Sequence, residues 1–431
     1  MLDVSNSPEA AAIIAEANSK YVHWDEFRHR YSPPPGLALA DVWAAARLQR
    51  RATRQAIPLL TPDDRPFSFN LPGPVHENLT FLDRFVGPAA RVNGDGGDGP
   101  DRPRYLVNSL MEEAITSSQI EGAAVTLVQA KEMLRAGRRP RNQSEKMVLN
   151  NYETMRRLKE MRTRPLTVEQ VHAIHRTITE GALEKADAAG RFRRADERVD
   201  VVDNEDNVLY TPPPAGQLPE RMERLCAFAN ETGPATFLHP VVRAMLLHFW
   251  LAYDHPYVDG NGRTARALFY WSMLRSGYDL VEFVSISSVL RESYGQYRDA
   301  FLYAESDEED ATYFLVYHAK VLRRAIERLH EYVRRQQEEN AEMLRQLAGY
   351  SGLNARQHAM LRHALRHPTT IFTYRSHATS HDVTHATARK DLLALAALGL
   401  LEQRKRGKEF TFMAAQDLAA RLGDAGGATE G

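Results

Sequence analysis

His255-Pro256-Tyr257-Val258-Asp259-Gly260-Asn261-Gly262-Arg263-Thr264-Ala265-Arg266 is the stretch from which the rest of the chain can be read. Before it, Val241 to Tyr253 carries Met245, Leu246, Leu247, Phe249, Trp250 and Leu251, apolar residues that run almost all the way round a helix and so mark a buried one. After it, Arg263 to Ser276 again has a helical pattern, rich in Leu268, Phe269, Trp271 and Leu274, with Gly277 where a left-handed C-terminal residue belongs. The polar stretch is therefore a loop between two core helices.

That placement has chemical consequences. Gly260 and Gly262 let backbone approach a ligand with no Cβ in the way, and the N-terminus of the following helix offers unpaired N–H groups at its positive end. Arg263 and Arg266 share one face of the first turns, where two guanidinium groups can hold further phosphate oxygens. Asp259 supplies a hard oxygen ligand of the kind a phosphate-bound Mg²⁺ requires. His255 is the one group here able to accept a proton near neutral pH. Anion cradle, metal ligand, base and two arginines together describe nucleotide chemistry. Gly260 to Ala265 also fits the G-x-G-x-x-G/A dinucleotide fingerprint, but that fingerprint follows a strand and here a helical pattern precedes it. No G-x-x-x-x-G-K-[ST] loop occurs.

At these residues the chain resembles the Fic (Fido) family of protein AMP-transferases, whose signature reads H-x-F-x-D/E-G-N-G-R-x-x-R. Tyr257 departs from it, standing where the family has Phe, and its hydroxyl then needs a partner in the core. The resemblance extends over residues 104–345. It implies a mainly α fold, a Fic-type helical core with a β-hairpin flap, and transfer of AMP from ATP to a Ser, Thr or Tyr hydroxyl of a target protein or of the protein itself. In that scheme His255 takes the hydroxyl proton and Asp259 holds Mg²⁺. Gly260, Asn261 and Gly262 cradle phosphates, Arg263 faces the leaving group, and Arg266 orients the γ-phosphate. Tyr297 aligns with a tyrosine that lines the nucleotide site in relatives. Family members that phosphorylate carry lysine at the second signature glycine, which is Gly262 here; a phosphocholine donor is left open.

Upstream, a helical pattern from Tyr105 runs through Leu106, Leu110, Met111, Ala114 and Ile115 into Ser117-Ser118-Gln119-Ile120-Glu121-Gly122. A new helix follows from Thr126, with Gln129 completing a T-x-x-Q capping box and Gly137 ending it. Glu121 thus lies at a helix C-terminus, where the dipole disfavours an anion unless a cation joins it. Taken alone, Ser118 to Glu121 reads rather as a further capping box, or Glu121 as a solvated surface charge. The Ser117-x-x-x-Glu121-Gly122 pattern, however, resembles the [S/T]-x-x-x-E-[G/N] inhibitory helix of one Fic class. That likeness implies an inhibitory helix over about 105–122 in which Glu121 pairs with Arg266 and keeps it from the γ-phosphate.

The 431 residues allow two or three domains, and a net charge of −1 with 26% charged residues points globally to neither nucleic acid nor membrane. Cys226 is the sole cysteine, which excludes an intramolecular disulfide, suits a reducing cytoplasm and reads as a small buried hydrophobe. No apolar run is long enough to span a membrane, so a soluble cytoplasmic protein is expected.

Residues 1–103 read as a helical extension, with helices Ala10 to Ser19 and Leu39 to Arg54 and a Gly-rich linker from Asn93 to Pro100. Residues 146–180 show helical core stripes. Val199 to Val202 and Val208 to Tyr210 flank turn-rich Asp203 to Asn207 as a β-hairpin, matching the family's flap. His239, His248 and His255 lack the spacing of a helical zinc site. Ser287 to Phe301 is helical, with Tyr294 and Tyr297 three residues apart. Glu305 to Asp310 reads as a solvated acidic run before a helix reaching about Arg345.

Beyond Tyr350 the composition turns basic. From Ser351 to Thr411 ten Lys+Arg stand against four Asp+Glu, a net of about +6, with six histidines besides. Helix (Ala355 to Leu365), a short helical piece (Tyr374 to Thr379), helix (His385 to Leu398) and a hairpin (Leu400 to Phe412) over residues 350–415 look like a winged helix-turn-helix. Thr384, Thr387 and Arg389 would face a groove and Arg404 to Lys408 would meet phosphates. Winged helices serve DNA and protein contacts alike, so a DNA-binding regulator with a nucleotide-sensing domain is the competing function. Residues 416–431 read as a disordered tail.

Overall fold

The computed structural model describes Val4 and residues 6–88, 102–202, 207–232, 237–348, 353–367, 369–381, 383–406, 409–418 and 420–422. The linker at 93–100, the hairpin tip at 203–206, the wing tip at 407–408 and residues 419 and 423–431 lie outside the described residues, whereas Leu418 and Leu422, expected within a disordered tail, are buried in the core of the C-terminal unit. Two units divide the chain, Met1–Leu329 and His330–Gly431. The first therefore closes before residue 345, where the sequence pattern had put the domain edge.

Three helices open the first unit: α1 (Pro8–Lys20), α2 (Trp24–Arg30) and α3 (Leu39–Arg51). Ser7 caps α1 by accepting from the Ala10 N–H, and a proline in the first turn costs no hydrogen bond. Ile14, Phe27, Val42, Trp43 and Ala46 form their shared core, with Trp24 packed against it. Strands β1 (Gln55–Leu60) and β2 (Pro66–Phe69) pair antiparallel, and α4 (Gly73–Val86) follows. Neither this hairpin, α2 nor α4 is expected from the sequence reading, although Ile57, Leu59, Phe67 and Phe69 bury alternate positions as half-buried strands do.

The central layer consists of α5 (Arg102–Ile120), α6 (Leu127–Ala136), α7 (Gln143–Met161) and α8 (Val168–Thr179). The helical core stripes expected over 146–180 fall on two helices, α7 and α8, separated where Pro165 interrupts the pattern. The two short strands β3 (Val201–Val202) and β4 (Val208–Tyr210) pair antiparallel as the expected hairpin. Then come α9 (Leu218–Ala229), α10 (Pro240–Asp254) and α11 (Asn261–Arg275).

Helices α10 and α11 pack on each other, with α11 also against α7 and α8. Trp250, Phe249, Trp271 and Phe269 are at most 1% exposed, which makes this pair the core of the unit. α12 (Ile286–Glu292), α13 (Tyr294–Ser306) and α14 (Thr312–Ala348) complete the series. The break at Ser293 separates two helices where one was expected. It leaves Tyr294 exposed while Tyr297 is buried.

The acidic run between α13 and α14 is not solvated, which corrects the sequence expectation. Asp307, Glu309 and Asp310 are buried, and arginines from the N-terminal extension meet them. Arg54 reaches Asp310 at 2.8 Å and Glu308 at 3.2 Å, Arg47 and Arg51 both pair with Glu308, and Arg65 pairs with Glu309 at 2.7 Å. Asp310 also accepts from the Tyr21 hydroxyl at 2.6 Å. The run looked solvated because its cations lie more than two hundred residues away in sequence. Burial of carboxylates is tolerable only when such partners arrive.

In the second unit, α15 (Ala355–Arg366), β5 (Phe372–Thr373), α16 (Tyr374–His381) and α17 (His385–Ala397) precede β6 (Leu401–Arg406) and β7 (Glu409–Ala414). The sheet order is β5-β7-β6. Leu361, Leu392, Leu395, Leu401 and Phe412 form its core. Asp391 ties it together, accepting from Asn354 at 2.8 Å, from Arg356 at 2.8 Å and lying 3.2 Å from His377. No described helix is long and apolar enough to cross a membrane.

Asp310→Ala should cost about 3–5 kcal/mol, because it takes from the desolvated Arg54 side chain the closer of its two carboxylates and leaves the buried Tyr21 hydroxyl without its acceptor. Urea unfolding of the full-length protein checks this. A loss under about 1 kcal/mol would mean that the ion cluster does not hold the extension.

Candidate active site

His255 caps α10 in the left-handed region, at φ 44° and ψ 56°, with its N–H donating to the Leu251 carbonyl at 3.1 Å. A residue with a Cβ is strained there, so neighbouring contacts must hold it. Arg193 does much of this. Its Nε donates to the His255 carbonyl at 3.0 Å, its backbone N–H donates to the Pro256 carbonyl at 2.9 Å, and its guanidinium also reaches the Pro213 carbonyl. His255 Nδ1 lies 3.2 Å from the Ala252 carbonyl. Since a carbonyl can only accept, Nδ1 carries the proton and Nε2 keeps a lone pair. Burial holds the imidazole below its ordinary pKa, so it is neutral at pH 7.

The loop is braced from beneath by α8. Tyr257 is fully buried and stacks on His175, with ring centroids 3.6 Å apart. Its hydroxyl, the extra atom relative to Phe, lies 3.1 Å from His172 Nδ1. His175 accepts from the Gly190 N–H at Nδ1, 2.9 Å, and therefore donates from Nε2 to the Asp259 carbonyl, 2.8 Å. Desolvation pushes His175 down to about 4, which keeps it neutral in that role. Arg193, His172 and His175 were not singled out as site residues from the sequence. Two histidines three residues apart on an otherwise apolar helix face were the available signal.

The Asn261 side chain serves the loop itself. It accepts from the Tyr257 N–H at 2.9 Å and donates to the Tyr257 carbonyl at 2.8 Å, so both ends close the loop. The Asn261 backbone N–H is left to face an anion. Gly260 precedes α11 at φ 84° and ψ 7°, and a Cβ there would lie 2.8 Å from Thr179. Glycine is thus required for conformation and for space. The N–H of Gly260 donates to the Asp259 carboxylate at 2.5 Å, and Arg263 Nη2 reaches the same carboxylate at 3.2 Å. The Asp259 side chain is 47% exposed, leaving its oxygens open to a divalent cation beside the helix N-terminus.

Arg263 and Arg266 are each 1% exposed. Arg266 Nε donates to the Ser117 hydroxyl at 2.8 Å, while Nη2 donates to the Ser117 carbonyl at 3.0 Å and to Glu121 Oε1 at 2.9 Å. Ser117 and Glu121, far apart from Arg266 in sequence, therefore meet it across the α5–α11 contact. A Cβ on Gly262 would lie 2.2 Å from Glu121 Oε1, so the glycine makes room for this carboxylate as well as for any phosphate. Arg263 Nε and Arg266 Nη1 are buried donors with no hydrogen-bond acceptor. Two orphaned guanidinium donors beside a free helix N-terminus and a half-exposed carboxylate are a donor set that fits a magnesium-bound polyphosphate.

Tyr297 is buried against the same arginine, and its hydroxyl lies 2.8 Å from His248 Nε2. His239, by contrast, caps α10 and lies 3.1 Å from Asp83. Thus His239, His248 and His255 sit in three separate surroundings. Cys226 is buried, and desolvation pushes its thiol up to about 12. A cavity of about 630 Å³ lies at the opposite end of α11, lined by Arg162, Arg243, Arg275 and Asp279 among others. Two of its arginines bond carbonyls at or just past helix C-termini, Arg275 those of Arg162 and Arg164 and Arg243 that of Phe228, and Arg162 pairs with Asp279.

Comparison with known proteins falls on this same region. The Fic/DOC family model matches residues 165–273. Protein adenylyltransferase Fic of Drosophila melanogaster is 34% identical over 117 residues, 26% of this chain and 21% of that protein. Its counterpart in Drosophila willistoni is 32% identical over the same length. The match thus spans about a fifth of these curated relatives. Among solved structures, a Fic family protein from Desulfovibrio desulfuricans G20 has a TM-score of 0.56 at 19% identity, covering 80% of this chain and 97% of that one. That likeness concerns the fold. The signature loop, the helices that carry it and the family match all coincide, so the chain carries a Fic/DOC domain over residues 165–273.

Proposed function

We propose that this protein is an autoinhibited adenylyltransferase that moves AMP from ATP to a Ser, Thr or Tyr hydroxyl of a target protein or of itself, releasing pyrophosphate. The observation that carries the reading is the shared use of Arg266. The arginine that the loop offers to a polyphosphate is held by Ser117 and Glu121, and the names of the Drosophila relatives support the activity.

In the reaction the acceptor oxygen attacks the α-phosphorus, forming a P–O bond as the bond to the β-phosphate bridging oxygen breaks. His255 Nε2 accepts the hydroxyl proton, Nδ1 being fixed as donor by Ala252. The first-turn N–H groups of α11 and the Arg263 guanidinium hold the charge that develops on pyrophosphate. Asp259 would hold Mg²⁺, which when bound neutralises phosphate charge. Arg266 orients the γ-phosphate once Glu121 has left it. The paired strands β3 and β4, with Val202 and Val208 exposed, offer an edge on which a target segment can lie by main-chain pairing.

A second reading concerns the C-terminal unit, taken as a winged helix-turn-helix that binds DNA and makes the nucleotide site a sensor. The exposed His385, Arg389 and Lys390 of α17 and Arg404 and Lys405 of β6 favour it. Duplex binding that weakens steeply with salt and disappears in Arg389→Ala/Arg404→Ala supports it, and binding that ignores both changes excludes it.

Incubation with Mg²⁺ and α-labelled ATP tests the main reading. Glu121→Gly should raise label on protein well above wild type, and adding His255→Ala should remove it by about 10²- to 10⁴-fold. Undiminished transfer without His255 would sink the base assignment. The lowered His255 pKa also sets a pH profile. The imidazole accepts protons only when neutral, so the transfer rate of Glu121→Gly should stay flat as pH falls from 8 to its ordinary value of 6.5 and drop only below that. An inflection above 6.5 would contradict the desolvated, neutral imidazole.

A further inference from the structure

Behind the nucleotide site lies a chain of buried groups that the proposed reaction leaves unused. His248 of α10 and His318 of α14 are both 0% exposed. His248 Nε2 lies 2.8 Å from the Tyr297 hydroxyl, and His248 Nδ1 lies 3.0 Å from His318 Nε2. His318 Nδ1, at the far end, has no hydrogen-bond partner. Rings of Phe269 and Phe314 pack against both histidines and keep water out.

A neutral imidazole has one donor and one acceptor nitrogen, so such a chain has only two proton orders. In one, Tyr297 donates to His248 and His248 donates to His318. In the other every bond is reversed and the Tyr297 proton points out of the chain. Desolvation keeps both histidines neutral, His318 being pushed down to about 3. Arg266 decides between the two orders. Its guanidinium faces the Tyr297 hydroxyl and carries hydrogens only, so it favours a lone pair there and repels a proton.

We propose that His248 and His318 are positioning residues for nucleotide binding: they draw the Tyr297 proton inward, so that the hydroxyl oxygen faces Arg266 and steadies the guanidinium for the γ-phosphate. This rests on the ATP reading of the site. The unpartnered Arg266 Nη1 is the donor left to be shared between that oxygen and a phosphate. Tyr297→Phe removes the acceptor, and His248→Phe removes what orients it. The two changes therefore act on one interaction.

The test uses the full-length chain carrying Glu121→Gly, with the non-hydrolysable α,β-methylene analogue of ATP and Mg²⁺ in titration calorimetry. His248→Phe should weaken analogue binding about three- to tenfold, the worth of one hydrogen bond. His248→Gln, which keeps a donor and an acceptor, should recover most of that loss. In the Tyr297→Phe background, His248→Phe should cost nothing more. Independent losses that multiply, or unchanged binding in His248→Phe, would overturn the relay.

Imidazole ¹⁵N–¹H correlation spectra of the same protein read the tautomers directly and need no variant to fold. The expected result is a proton on Nδ1 of both His248 and His318, and a proton on Nε2 of either one overturns the proposal. Failure of the Glu121→Gly parent to bind the analogue would instead count against the ATP reading, and the tautomers would still decide the relay.

Discussion

A permanent charge buried in a helical core needs an anion, and Arg266 is such a charge. Its pKa leaves it no neutral form, and its side chain is 2% exposed, so the fold must bring acceptors to it. α5 does so with the Ser117 hydroxyl and carbonyl and the Glu121 carboxylate. α5 is itself fastened by Glu113, a fully desolvated carboxylate that accepts from the Ser287 N–H at 2.9 Å, from the Ser287 hydroxyl at 2.5 Å and from the Ser285 hydroxyl at 3.0 Å. Glu113 lies within α5 and Glu121 directly follows its last residue, so anchoring the helix at Glu113 helps to set the position of Glu121. Any ligand that frees Arg266 from Glu121 has to replace a carboxylate with another anion, which is what a polyphosphate offers.

The rigidity of the loop has a separate origin. Asn261 closes it from within through two bonds to the Tyr257 backbone. His172 and His175 brace it from α8, and Arg193 holds the strained His255 from the segment before the flap. These contacts fix the His255 backbone, the Asp259 carbonyl and the start of α11 before any ligand arrives. Preorganisation of this kind lets donors act on developing charge without reorganising during the reaction.

The two core helices and their loop were legible in the sequence because an apolar pattern running all round a helix, interrupted by glycines and charges, has few other solutions. Gly260, Arg263 and Arg266 could be read as an anion site for the same local reason. Glu121 needed the family likeness, since nothing within α5 says which cation it meets. The acidic turn at 307–310 was misread because its arginines come from α3, the turn after it and the β1–β2 hairpin. β1 and β2 were passed over although their alternation was present. Asn261 was assigned to phosphate on the strength of its position, and only the folded loop shows that its side chain is engaged with Tyr257.

Sequence alone thus determined the elements whose signals are local: helix periodicity, the glycine-bearing N-terminus of α11, the two arginines on its first turns and the basic character of the C-terminal unit. Tertiary structure decided which charges find each other. Arg266 with Glu121, Arg54 with Asp310, and Tyr297 with His248 and His318 are pairs or chains between segments distant in sequence. Their formation depends on how desolvated groups are matched when the helices pack, and that matching leaves no periodic trace along the chain.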